Sequence, residues 1–162
     1  MPGTVEDLIV KLKNLEAFVV KVGNKAIGDN SDEILDLNKA QMLVAGVDAN
    51  SQQLGDYAPM SIEIRQEKGL QTDHIDLRFT GEFQNSMVLK KEGNTYEIDA
   101  TDSKWDGNAL ARSLRAQWPD ALGLTDESEQ VVTKRITDAI ESETDKYLST
   151  GTPPKVYTNA NV

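Results

Sequence analysis

The residues of this chain that could do chemistry are few, and their spacing argues against most of it. His74 is the only histidine; with Asp73 beside it and Asp76 two positions on, one imidazole and two carboxylates could be imagined around a metal ion or a nucleophile. On an extended segment, however, Asp73 and His74 point to opposite faces, which leaves His74 and Asp76 as a pair with no third ligand. Serine and threonine nucleophiles exist, but none sits in the glycine-flanked elbow that exposes a catalytic hydroxyl. The chain has no cysteine, so disulfides, thiolate ligands and a cysteine nucleophile are excluded.

Two further segments imitate catalytic or metal-binding motifs and fail on the residue that matters. Phe79-Thr80-Gly81 has the shape of an aspartic-protease Asp-Thr-Gly, but that chemistry needs a carboxylate sharing a proton with its twin, and position 79 is phenylalanine. Asp102-Ser103-Lys104-Trp105-Asp106-Gly107 opens like a calcium-binding loop, yet Lys104 and Ser113 stand where an oxygen ligand and a bidentate glutamate are needed. There is no glycine-rich phosphate loop. The expectation is a protein with no catalytic residue, no cofactor and no metal. The competing readings are a small hydrolase or peptide-binding module using His74 or a serine, and a plain dimeric cytosolic domain.

The elements that would position these residues begin with Ile75 to Ala100. Ile75, Leu77 and Phe79 alternate with Asp76 and Arg78, the pattern of a half-buried strand with the two charges in water. A second strand precedes Gly93-Asn94 and a third follows it. If that dipeptide is a primed turn, Glu92 faces Thr95, Lys91 faces Tyr96, Lys90 faces Glu97, Leu89 faces Ile98 and Met87 faces Ala100. Met87, Leu89, Ile98 and Ala100 then share one face, Lys90 and Glu97 meet on the other, and a one-residue slip would destroy both patterns. Asp76, Arg78, Lys90 and Glu97 form the face expected to dock a neighbouring subunit.

Helices flank this sheet. Thr4 is placed to cap a first helix with Asp7 at its third position, and Val5, Leu8, Leu12, Leu15, Val19 and Val22 step by three and four, a heptad-like seam widened by Ile9 and Phe18. A second helix is expected over about Asp32 to Val44, a short one or a strand over Ser61 to Lys68 before Gly69, and another over Ser103 to Gln117 before Trp118-Pro119. The last helix starts after Thr125 and buries Val132, Ile136, Ile140, Tyr147 and Leu148. The expected fold is α+β, a short antiparallel sheet of about three strands packed against N- and C-terminal helices, as one domain over 1–148 followed by an extended tail over 149–162.

Composition sets the outer limits. With 162 residues, 38% hydrophobic and 27% charged, the chain is long enough to bury a core of its own. No apolar run approaches the roughly 18 to 20 residues that cross a bilayer, and the N-terminus lacks a basic region followed by an apolar core, so neither a membrane partner nor a secretory signal is expected. A net charge of −10 argues against direct nucleic-acid binding, although Arg112 and Arg115 lie three apart on an expected helix. Half of that excess lies between Asp120 and Leu148, with eight acidic and three basic residues, and suits a solvated or partner-facing helix.

Three segments in order carry a family signal: Leu54-Gly55-Asp56-Tyr57-Ala58-Pro59, the run from Leu77 to Val88 through Thr80-Gly81-Glu82-Phe83-Gln84-Asn85-Ser86, and Trp118 to Thr125 before the final helix. Together they resemble the phage virion morphogenesis or tail completion proteins over roughly Leu54 to Leu148. Thr80, Gly81, Phe83 and Ser86 match the family's strand-joining corner, and Pro119, Leu122, Gly123, Leu124 and Thr125 match the segment that leads into its last helix. The chain departs from the pattern at Phe79, where the family usually has an acidic residue, at Asp120, where it has an arginine, and in lacking an aromatic and histidine segment after the hairpin. The resemblance implies a non-enzymatic structural subunit of a tailed-phage neck or tail, acting in tail completion or head-tail joining. It further implies assembly in the bacterial host cytoplasm into a homo-oligomeric ring that contacts neighbouring neck or tail proteins in the virion.

Overall fold

The computed structural model describes residues 4–101, 114 and 116–150. Most of the helix expected over Ser103 to Gln117, with Arg112 and Arg115, and the tail from residue 151 onward lie outside these. The chain is α+β: helix α1 (Val5–Asp29), helix α2 (Ser31–Ala40) continued by a π turn (Gln41–Ala45), helix α3 (Pro59–Glu67), the four-residue helix α4 (Glu82–Asn85), strands β1 (Met87–Glu92) and β2 (Thr95–Ala100), and helix α5 (Asp126–Thr150). These form two compact units, one comprising residues 1–30 and 131–162, the other residues 31–130. Among the described residues no helix is long and apolar enough to cross a membrane.

The first unit is a helix pair. Thr4 and Asp7 close a reciprocal capping box, the Asp7 N–H donating to the Thr4 hydroxyl at 3.2 Å and the Thr4 N–H to the Asp7 carboxylate at 2.9 Å, which satisfies amides a helix start otherwise leaves open. Phe18, Val22 and Tyr147 make the buried core, joined by Leu15, Ile140 and Leu148. The Phe18 and Tyr147 rings stack with centroids 4.4 Å apart, and Lys11 Nζ donates to the Leu148 carbonyl at 3.0 Å. The expected stripe of α5 is therefore used mainly at its C-terminal end, where Tyr147 alone falls below the surface while Val132, Ile136, Ile140 and Leu148 stay half-buried.

In the second unit, β1 and β2 pair antiparallel in the register derived from the sequence, from Met87 with Ala100 to Glu92 with Thr95. Gly93, at φ 60, supplies the left-handed position that a primed turn needs. Lys90 does stand opposite Glu97, but its ammonium pairs with Asp99, the diagonal neighbour on the same face. Met87, Ile98 and Ala100 are buried as expected, and the ambiguous segment around Ile62 and Ile64 is helix α3, with Pro59 at its first turn.

One expected element is corrected. Ile75 to Phe79 is not a strand; the described residues contain a two-stranded sheet. The backbone of this segment is held by other groups: the Ile75 N–H donates to the Gly55 carbonyl at 2.8 Å, the Asp76 N–H to the Tyr57 hydroxyl at 3.1 Å and the Arg78 N–H to the Asp76 carboxylate at 2.8 Å. Leu77 lies between these anchors at φ 55, a left-handed conformation that a ladder cannot accommodate and that a leucine adopts only under constraint.

Because Phe18 supplies one of two stacked rings in a small core, Phe18→Ala is expected to cost about 3 kcal/mol in urea unfolding. A loss below about 1 kcal/mol would show that the helix pair is not held by this stack.

Candidate functional site

Asp76, which alternation assigns to water, is 3% exposed and lies at the centre of a buried polar cluster. Arg65 on α3 is 4% exposed and reaches it with Nη2 at 2.9 Å. The other guanidinium donors are also taken, Nε by the Gln71 carbonyl at 2.7 Å and Nη1 by the Arg78 carbonyl at 2.6 Å. Asp76 Oδ1 accepts from the Tyr57 hydroxyl at 2.7 Å, and Oδ2 accepts from Gln71 Nε2, also at 2.7 Å. The Arg65 guanidinium stacks over the Tyr57 ring, 4.1 Å from its centroid. A buried ion pair is tolerated only when the remaining donors and acceptors find partners, and here each Arg65 nitrogen donates at least once and each Asp76 oxygen accepts twice.

Burial pushes the Tyr57 phenol up from 10.0 to about 12, with hydrogen bonding to Asp76 and the opposed fields of Asp76 and Arg65 as lesser influences. The neutral hydroxyl is the form the site needs, because it donates to the carboxylate.

The corner that carries the family resemblance is fastened to this cluster. Gln84 Nε2 donates to the Asp76 carbonyl at 3.3 Å. Gly81 stands at φ 89 immediately before α4, a conformation costly for any residue with a Cβ. Thr80 accepts from the Glu82 N–H through its hydroxyl at 3.4 Å, Phe83 is 2% exposed, and the Ser86 hydroxyl donates to the Phe83 carbonyl at 2.9 Å. The corner is thus a turn of helix leading into β1 rather than a joint between two strands.

The second matching segment is held separately. Asn38, fully buried on α2, donates through Nδ2 to the carbonyls of Ala121 at 3.1 Å and Gly123 at 2.6 Å. Gln41 Nε2 donates to the same Gly123 carbonyl at 2.8 Å while its Oε1 accepts from the Thr125 N–H at 3.2 Å. Gly123 has φ 145, and a Cβ there would lie 2.9 Å from the Ala49 Cβ, so the position excludes side chains. Pro119 is exposed and Leu122 and Leu124 half-buried; Thr125 caps α5, its hydroxyl accepting from the Ser128 N–H at 3.4 Å.

His74 is a packing residue. Its ring lies against Gly46, where a Cβ would come within 2.4 Å of the imidazole, and its Nε2 is 3.3 Å from the Leu43 carbonyl. Among the described residues no group of three or more His, Asp or Glu could hold a metal ion.

Beside the Arg65–Asp76 pair opens a cleft of about 570 Å³, within the size range of ligand pockets. Tyr57, Ile64, Ile75, Leu77, Phe79 and Trp118 are among its walls, with Asp56, Arg78 and Glu82 supplying charge. Trp118 is oriented by its indole N–H, which donates to the Leu54 carbonyl at 2.9 Å. Of the four residues expected to form one docking face, Arg78 lies at this cleft, Asp76 is buried beneath it, and Lys90 and Glu97 sit on the hairpin. Sequence reading placed Tyr57 only within the first family-like segment, without a role in a cluster, and gave Arg65 and Gln71 no role. Comparison of the chain with protein-family models, with curated proteins and with solved structures returns no match.

Asp76→Asn leaves the buried Arg65 guanidinium without a countercharge and is expected to cost about 3 to 5 kcal/mol in chemical unfolding, whereas Lys134→Ala, which breaks an exposed pair with Asp138, should cost less than about 0.5 kcal/mol. Equal losses in the two variants would contradict the organising role of the buried pair. A second expectation concerns pH. Because the Tyr57 pKa is raised on folding, its stabilising contribution is complete below pH 10 and is lost as pH rises toward about 12. The stability gap between wild type and Tyr57→Phe should therefore narrow across that window, read by urea unfolding; a gap independent of pH would refute the shift.

Proposed function

We propose that this chain is a non-enzymatic structural subunit of a tailed-phage neck or tail, of the tail completion or head-tail joining kind, assembling into a homo-oligomeric ring with neighbouring neck or tail proteins in the virion. The observation that carries the reading is the apolar surface the chain leaves uncovered. In the first turns of α1, Val5 is 71% exposed, Leu8 50%, Val10 58% and Leu12 53%, on a helix start that is firmly capped. Capped, helical and apolar toward water is the signature of a surface meant for another protein.

The way the polar side chains near the cleft are engaged is in keeping with the same reading. Arg65 and Asp76, the buried charged groups nearest the cleft, are engaged by structural bonds, and the His74 ring is committed to packing. The residues of the family resemblance also do structural work: Gly81 and Gly123 take conformations or approaches that need glycine, and Phe83 and Thr125 anchor the two ends. The acidic surface of α5 suits a basic partner ring rather than DNA.

In particles of the phage that encodes this chain, gold labelling of a tagged copy should decorate the neck or tail in electron micrographs, and an amber mutant should accumulate heads and tails that fail to join. Purified infectious particles that lack the chain would contradict the reading.

A further inference from the structure

We draw no further inference here: the strongest candidate, the apolar cleft walled by Tyr57, Phe79 and Trp118 beside the Arg65–Asp76 pair, carries Asp56 and Glu82 as well as Arg78 among its lining residues, and nothing in the structure shows what covers it.

Discussion

The bond between Arg65 and Asp76 organises the larger unit of this protein. It joins α3 to a segment with no regular structure of its own, and through the same two side chains it holds Tyr57, Gln71 and the backbone of Arg78. Burying two charges is expensive, and an isolated pair would gain little over an apolar contact. What the pair contributes is placement: each oxygen of Asp76 accepts twice, from Tyr57 and the Arg78 N–H on one side and from Arg65 and Gln71 on the other, and these four bonds fix the segment from Ile75 to Phe79. Leu77 takes up the strain of that arrangement, and the cleft wall follows from it.

A second polar node does for the approach to α5 what the first does for the cleft. Asn38 and Gln41 replace absent secondary structure around Ala121 to Thr125 with side-chain amides, and the π turn that begins at Gln41 continues α2 up to the left-handed Gly46. The ring of His74 closes over that glycine. The smaller unit relies instead on apolar packing, one aromatic stack and a few aliphatic side chains, which is why its helix start can be well capped and still present valines and leucines to water.

Much of this architecture was legible in the sequence wherever local chemistry decides the outcome. Thr4 and Asp7 announce a capping box, Gly93-Asn94 sets the hairpin register residue by residue, and Gly69 marks the end of α3. Alternation misled at Asp76 because the period-two rule assumes that charged residues face water. It cannot see that an arginine eleven positions back and a tyrosine nineteen back converge on the same carboxylate. The Lys90 ammonium likewise follows geometry within the hairpin to Asp99 rather than the facing Glu97. Of the candidate site, the corner residues Gly81, Phe83 and Ser86 were visible, but the cleft beside them was not, since its walls come from segments between Asp56 and Trp118 that no local pattern links.

The account's central claim is that one buried ion pair sets the shape of the surface this protein offers. Peptide-resolved hydrogen exchange on wild type, Arg65→Met, Asp76→Asn and the double variant tests it most directly, because removing both charges spares the cost of leaving either one alone. The account predicts that each single variant loses protection across residues 70–86, that the double variant recovers much of it, and that the α1 and α5 amides near Phe18 and Tyr147 are unchanged. Protection lost evenly over the whole chain, or singles and double that lose it additively, would contradict the claim.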